Sequence, residues 1–223
     1  MKKVYLFVLA AFVSLVSADA QIVRSTDNPQ YLPTPEYTYD GGDDEQKVFG
    51  MIRAGVGTSW LCGDNIDHLG SQIAYGIDLG FGARIGSKGF YWGAEFGFNS
   101  RGWSNDTRNN YKLMAHNIKL TFTQFGWKIK FGESNWAIDP HFGAFISYDF
   151  AGKGKWETHG HKGSLSLSDD DTWNKFDAGI NVGGGIWYKK FNLDVTYTHG
   201  FMEAIEKGDV ASAGLLVRLG FAF

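Results

Sequence analysis

The stretch IAYGIDLGFGARI, residues 73–85, decides the fold, because its large apolar side chains recur at every second position. The positions between them hold mostly small residues, together with Asp78 and Arg84. This is the period of a β-strand, in which successive side chains point to opposite faces. The stretch therefore predicts a strand with one bulky apolar face and one small, polar face.

The same alternation recurs along the rest of the chain from Val48 onward. Clear repeats cover residues 90–99, 136–150, 176–188, 191–201 and 211–223, and less regular ones cover residues 48–60 and about 114–131. In the last of these, the apolar phase moves by one residue between Phe122 and Phe125, which predicts a β-bulge. Together the segments predict eight strands.

The connections between these strands alternate in length. Short ones cover residues 86–89, 132–135 and 189–190, and long polar ones cover about 61–71, 100–112, 151–174 and 202–209. Strict alternation of short turns and long loops is typical of outer-membrane barrels, with the short turns in the periplasm and the long loops outside. A soluble meander has no reason to sort its connections in this way.

The two faces of the strands distinguish a membrane barrel from a soluble one. The apolar face is bulky and nearly free of charge, which contact with lipid requires, since a Lys or Arg at mid-bilayer costs about 2–4 kcal/mol. The other face is dominated by glycine, which would weaken a strand facing water and gain nothing there. We therefore expect its charged residues to form a structural polar cluster in the lumen: Arg53, Asp78, Arg84, Glu95, Asp139, Asp177, Asp194 and Arg218.

The predicted fold is an all-β, eight-stranded antiparallel up-and-down transmembrane β-barrel. Hydrocarbon offers no partner to unpaired backbone groups, so the sheet must close. An eight-stranded barrel is filled by its own side chains, which predicts paired charges and no wide aqueous pore. Aromatic residues near the strand ends indicate an interfacial belt, although strand propensity alone would explain some of them. They are Trp60, Trp103, Trp136, Phe150, Trp187 and Tyr188.

The N-terminal residues have the pattern of an export signal. Lys2 and Lys3 precede an apolar run from Val4 to Val16, and Ala18-Asp19-Ala20 follows. This predicts a cleaved signal peptide over residues 1–20, the run being shorter than the roughly 20 residues of a membrane helix. Residues 21–47, with three prolines and an acidic cluster, predict a flexible periplasmic segment, or else a short ordered element. The barrel domain then covers residues 48–223.

Charge and cysteine content exclude other classes of protein. The formal net charge is −3 and the basic residues are scattered, so nothing indicates binding to nucleic acid. Cys62 is the single cysteine, which excludes an intramolecular disulfide, and we interpret it as an incidental loop thiol.

Two sets of residues carry a family resemblance. The ending LLVRLGFAF, residues 215–223, resembles the C-terminal strand of outer-membrane barrels, which implies recognition of Leu219, Phe221 and Phe223 by the barrel-assembly machinery. The second set resembles the Bacteroidetes outer-membrane β-barrel domain, also called PorT-like, and implies an outer-membrane location and an accessory role in secretion or surface assembly. Its pieces are FGMIRAGVG at 49–57, KIKF at 128–131, PHFGAFISY at 140–148, KFDAGINVGGG at 175–185 and YTHGF at 197–201.

Few residues suggest chemistry. His159, His161 and the run Asp169-Asp170-Asp171 are possible ligands for a divalent metal, but neither spacing matches a defined motif, so we expect no metal site and no cofactor. His199 would suit a lipid-modifying enzyme at the outer rim, yet no hydroxyl and carboxylate are visibly placed beside it.

We therefore expect a non-enzymatic barrel in the cell outer membrane, with a structural, surface-presentation or ligand-interaction role. The alternatives are the accessory role in secretion or surface assembly and, last, the lipid-modifying enzyme. The expected partners are outer-membrane lipid, the barrel-assembly machinery during insertion, and an envelope protein bound through the outer loops.

Overall fold

The computed structural model describes residues 48–63, 70–85, 89–105, 111–158, 161–167, 173–205 and 209–223, without the side chains of residues 84, 123 and 158. Every regular element among them is a strand. The strands are β1 Val48–Gly63, β2 Gly70–Arg84, β3 Phe90–Asn105, β4 Tyr111–Trp127, β5 Ile129–Lys130, β6 Trp136–Thr158, β7 His161–Ser166, β8 Phe176–Tyr188, β9 Phe191–Glu203 and β10 Val210–Ala222. In these ranges, no helix has the length and apolar character needed to cross a membrane.

The sheet closes on itself through eight strands, all antiparallel. Its order is β4-β3-β2-β1-β10-β9-β8-β6, and β4 pairs with β6 to complete the ring. The first and last strands are joined over the registers Met51 to Ala222 through Gly63 to Val210. Phe223 extends this seam, since its backbone exchanges hydrogen bonds with Gly50. The predicted eight-stranded up-and-down barrel is confirmed.

Burial alternates along the strands in the sense that a membrane barrel requires. Ile77 is 54% exposed while the next residue, Asp78, is 2% exposed. On β10, Val217 is 44% exposed and Arg218 is 3% exposed. The large apolar side chains therefore cover the outside of the ring, and the charged and small ones fill its inside.

The bulge predicted in β4 is confirmed. Gly93 and Glu95 of β3 are two residues apart, but their partners Gln124 and Thr121 on β4 are three apart, so β4 carries one extra residue. Thr121 and Gln124 are both buried, whereas Phe122 and Phe125 are both exposed. The extra residue thus lets both halves of the strand keep their apolar side chains outside.

The predicted long connections are wrong in extent, because strands continue into all of them. The largest difference lies in residues 151–174, where β6 runs on to Thr158 and β7 returns beside it. At 23 residues, β6 is about twice the length that a barrel strand needs to cross a bilayer. A β6–β7 hairpin therefore rises beyond the apolar band. The polar composition of this segment hid its strands, since only the membrane part has a lipid-facing apolar phase.

The predicted signal peptide, residues 1–20, and the periplasmic segment, residues 21–47, lie outside the described residues.

Candidate functional site: the barrel interior

The middle of the barrel interior holds two arginines among three carboxylates. Arg218 of β10 lies 3.0 Å from Asp78, 3.5 Å from Glu95 and 2.8 Å from Asp194. Arg53 of β1 lies 3.1 Å from Glu95 and 3.9 Å from Asp194. All five side chains are at least nine-tenths buried. They come from β3, β2, β1, β10 and β9, so this middle layer connects five neighbouring strands of the eight-stranded ring across the lumen.

Polar neighbours complete the middle layer. Asn99 donates from Nδ2 to Asp78 at 3.0 Å, and the Thr196 hydroxyl donates to Asp194 at 2.7 Å. The Nε2 of His141 lies 3.3 Å from Asp194 Oδ2. Lys119 is buried as well, with its Nζ 5.5 Å from the centre of the Phe145 ring. Buried charges are tolerable only where partners of this kind replace water.

A second layer lies toward the short-turn end and is built around Asp139. The Tyr91 hydroxyl donates to the Asp139 carboxylate at 3.0 Å, and Trp187 donates to it from Nε1 at 2.9 Å. Trp187 is 2% exposed. Its predicted place in an interfacial aromatic belt is therefore wrong: its position along β8 points it into the lumen, where its N–H has a carboxylate partner.

A third layer lies toward the long-loop end. Arg101 contacts Asp149 at 2.8 Å and Asp177 at 2.7 Å, and Trp173 donates from Nε1 to Asp149 at 2.7 Å. The Ser212 hydroxyl donates to the Asp177 carboxylate. The guanidinium also lies over the Trp173 ring, 5.1 Å from its centre. This layer links β3, β6, β8 and β10.

Above the third layer, an apolar cluster closes the lumen. Trp103 and Tyr111 pack against it with their rings stacked 5.0 Å apart. Trp103 was also predicted for the interfacial belt, but it faces this cluster instead. The members of the cluster, called here the apolar cap, are Leu61, Leu113, Ala115, Leu167, Trp173, Ala204 and Val210.

A cavity of about 50 Å³ lies between the middle and third layers. Its lining includes Lys119 and four side chains with a buried oxygen that accepts no hydrogen bond from the protein: Thr58, Asn99, Asn117 and Asp177. A polar space of this size holds one or two water molecules, which would donate to these oxygens. It is far too small to serve as an aqueous channel.

The structure places seven of the eight residues predicted for the polar cluster inside the barrel. Five of them share the middle layer, while Asp139 and Asp177 lie in the layers on either side. The side chain of Arg84 lies outside the described part of the chain.

Among the described residues, three further Arg, Lys, Asp or Glu side chains are buried in the interior but were not predicted for the polar cluster: Arg101, Lys119 and Asp149. Lys119 and Asp149 occupy the polar phase of their strands and could have been found from it. Arg101 could not, because the end of β3 was interpreted as loop.

Cys62 and His199 lie next to each other on the exterior of the barrel, near the long-loop end. Cys62 Sγ lies 3.8 Å from Nδ1 of His199, and the Tyr197 hydroxyl lies 3.3 Å from the same nitrogen. Cys62 belongs to β1, which corrects its interpretation as a loop thiol. Cys62 and His199 are 137 residues apart in sequence, so only the closure of the ring reveals their contact.

The possible metal ligands divide between described and undescribed residues. His161 is exposed at the start of β7, whereas His159 and residues 169–171 lie outside the description. Among the residues that are described, no three or more His, Cys, Asp or Glu side chains are grouped to hold a metal ion. The residues of the predicted assembly signal, Leu219, Phe221 and Phe223, are all exposed on the exterior.

Several solved structures are similar to this chain. Neisserial surface protein A is 14% identical, covers 78% of this chain and 97% of its own, and has a TM-score of 0.44. Ail, the attachment invasion locus protein of Yersinia pestis, is 15% identical over 80% and 100% of the two chains, with a TM-score of 0.42. The N-terminal β-barrel domain of Pseudomonas aeruginosa OprF is 12% identical over 80% and 98%, with a TM-score of 0.39. No curated protein matches the sequence.

A family model, described as the outer membrane protein beta-barrel domain, matches residues 52–206. The matched range begins in β1 and ends beyond β9, so it includes most of the ring. Since it covers well over half of the chain, this protein belongs to the outer membrane protein beta-barrel domain family.

Proposed function

We propose that the chain is a non-enzymatic integral outer-membrane barrel with a filled lumen, which stabilises the envelope and presents its outer hairpin to the cell exterior. The observation that carries this proposal is the occupation of the lumen at three levels by hydrogen-bonded charges, beneath the apolar cap. Side chains held by several partners each do not move aside without breaking buried ion pairs. A filled barrel of this kind serves as a scaffold and not as a channel.

The β6–β7 hairpin supports the presentation role. Trp156 and Leu165 on this hairpin are about 40% exposed, beyond the part of β6 that faces lipid. Exposed aromatic and aliphatic side chains of this kind are suited to contact with an envelope protein. In this proposal the export signal is cleaved after residue 20, the exposed C-terminal residues Leu219, Phe221 and Phe223 guide assembly, and residues 21–47 lie in the periplasm.

A lipid-modifying enzyme is the weaker candidate. Its candidate residue is His199, which contacts the phenol of Tyr197 and the thiol of Cys62 on the exterior of the barrel. Assaying phospholipase and deacylase activity on the purified protein and on its His199→Ala variant tests this candidate. We expect neither protein to release fatty acid above the background of empty vesicles.

The resemblance to PorT-like domains supports a second role, as an accessory component of secretion or surface assembly. Crosslinking in whole cells followed by pull-down distinguishes the two roles, since the accessory role requires partners from a secretion apparatus. Replacing Trp156 and Leu165 with Ser is the matched variant, because both changes lie outside the membrane part. If the wild-type protein and this variant capture the same partners equally well, the hairpin is not the surface that binds them.

The proposal as a whole is tested by membrane fractionation and by conductance. We expect the protein in the outer-membrane fraction, with a gel mobility that changes on heating because the barrel stays folded in cold detergent. Reconstituted in a planar bilayer, it should pass no steady current. Recovery from the soluble periplasm without a mobility shift contradicts the membrane assignment, and a stable open conductance contradicts the filled lumen.

A further inference from the structure

We propose that Lys112, Lys153 and Lys155 form a binding site for the phosphate groups of anionic lipids in the outer leaflet. The three residues are called here the outer lysine cluster. The inference rests on the proposed function for the orientation of the barrel, with the long-loop end outside, and adds a ligand that the proposed function does not include.

The strand register brings the three lysines together on the exterior. Lys112 of β4 is the direct cross-strand partner of Lys155 on β6, and Lys153 pairs with Met114 two positions along. The residues between them, Leu113 and Gly154, are buried, and Leu113 belongs to the apolar cap inside the barrel. Because side chains alternate between the two faces, the three lysines point outward, and all three are exposed.

Opposed lysines repel one another, so this arrangement requires an explanation. Directly opposite positions in an antiparallel pair hold their Cβ atoms only about 5 Å apart, and like charges there destabilise the sheet. In the described ranges, none of the three lysines forms an ion pair with a carboxylate; the hairpin's Glu157 lies 3.4 Å from Lys162 instead. Within the part of the chain that the structure describes, the three cations have no carboxylate partner, which favours an external anion.

The outer lysine cluster lies at the level of the lipid headgroups, which indicates that the anion is a headgroup phosphate. Phe150, which is 50% exposed, is the last large apolar residue on the exterior of β6 before Lys153. A register shift beside Phe150 gives β6 one extra residue there, so the step from Phe150 to Lys153 is equivalent to two to three regular strand residues. At a strand tilt of about 40°, this step rises roughly 5–8 Å along the membrane normal. The headgroup layer beyond the hydrocarbon is about 5–8 Å thick. Lys153 therefore lies at headgroup level, and the flexible stem of Lys155 can reach down to it.

The neighbouring strand adds hydroxyl groups to the cluster. Ser166 is the cross-strand partner of Lys153, and Ser164 is the partner of Lys155; both serines are exposed. Ammonium and hydroxyl groups are both donors, and a phosphate group offers only acceptors at neutral pH. Three ammonium groups with two hydroxyl donors thus fit the oxygens of an anionic phosphate group.

The test measures lipid retention by native mass spectrometry of the full-length folded protein in detergent. The probe is phosphatidic acid, with phosphatidylcholine as the neutral comparison. Relative to wild type, the variant Lys112→Gln/Lys153→Gln/Lys155→Gln should bind phosphatidic acid at least tenfold more weakly, since one surface lysine contributes about fivefold to the attraction of an anionic lipid. Its retention of phosphatidylcholine should not change.

The control variant, Lys189→Asn/Lys190→Gln, removes two lysine charges at the short-turn end of the barrel, in the exposed turn between β8 and β9. Asn is used at position 189 because Lys189 has a φ of 55°, a conformation that Asn tolerates. An equal loss of phosphatidic acid binding in both variants, or no loss in either, would contradict the proposed site. Displacement of the lipid by an equal concentration of inorganic phosphate or soluble polyglutamate would overturn it too, because the ligand would then not be a lipid. Gel mobility before and after heating checks that each variant is folded, which separates this test from that of the proposed function.

Discussion

Arg218 and Asp194 face each other across strands β10 and β9 as direct cross-strand partners. The guanidinium donates to one carboxylate oxygen from Nε at 3.1 Å and from Nη2 at 2.8 Å. Both side chains are buried inside the ring, where a lone charge would be strongly unfavourable. This pair joins the last two membrane strands from within, and it explains why a barrel with a lipid-facing exterior can hold charges in its centre.

Replacing Arg218 with Met should destabilise the barrel by about 3–5 kcal/mol, because Asp78, Glu95 and Asp194 lose a shared buried cation. Urea unfolding in lipid vesicles measures the free energy. Lys190→Met, in the exposed turn between β8 and β9, is the control and should change stability by less than about 0.5 kcal/mol. A similar small change for both variants would mean that the middle layer does not contribute to stability.

Replacing Tyr91 with Phe should cost about 1–3 kcal/mol, because Asp139 loses a hydroxyl donor in a buried site. The comparison variant is Tyr188→Phe, whose ring is exposed to lipid on the exterior, and it should cost less than Tyr91→Phe by at least about 1 kcal/mol. Both free energies come from the same vesicle unfolding assay. If both substitutions lower the free energy of unfolding by the same amount, the hydrogen bond from Tyr91 to Asp139 does not stabilise the barrel.

The ring of Tyr91 packs directly on Gly126 and leaves no room for a larger side chain there. A methyl group at this position would collide with the ring and hydroxyl of Tyr91, which the bond to Asp139 holds in place. Gly126→Ala should therefore destabilise the barrel by about 1–3 kcal/mol through overpacking. Combined with Tyr91→Ala, the same substitution should cost less than it does alone. Strict additivity in the double variant would contradict a direct contact between the two residues.

Replacing Ile77 with Arg should cost about 2–4 kcal/mol, since Ile77 lies on the exterior near the middle of β2 and would place the charge in hydrocarbon. Val48→Arg is the matched variant, because Val48 is also exposed but begins β1 at the edge of the band, where the cost is about 0–1 kcal/mol. The comparison again uses vesicle unfolding. If the cost does not depend on depth, the exterior face is not in lipid.

Much of the fold was predictable because the membrane simplifies the pattern of each strand. Residues 73–85 alone separate a lipid face from a lumen face, and the displaced phase at Phe122 and Phe125 was enough to predict the bulge. The alternation of apolar and polar residues is weaker in the parts of the strands that extend beyond the apolar band. On β6 the outward face moves from the even positions Tyr148 and Phe150 to the odd positions Lys153 and Lys155, across a register shift near Ala151. Neither the hydropathy nor the phase of the lower strand therefore marks the outward face of its upper part.

The sequence predicts which side chains face the interior, from their alternation along each strand, but not which of them contact one another. The alternation places Trp187 on the lumen side of β8, and only its size and location near a strand end favoured the interface. The contact between Arg101 and Asp149 joins residues 48 positions apart, and that between Cys62 and His199 joins residues 137 apart. Both depend on strand registers, which a single sequence does not provide.

The most direct test of the account compares two adjacent leucines on β10. Leu215 is 38% exposed on the exterior, whereas Leu216 is 5% exposed inside the barrel. In methyl-labelled protein reconstituted in nanodiscs, nuclear Overhauser effects from lipid acyl chains should reach the methyl groups of Leu215 and not those of Leu216. Acyl-chain contacts at Leu216 with none at Leu215 would reverse the two faces and contradict the barrel's lipid-facing exterior and filled polar interior.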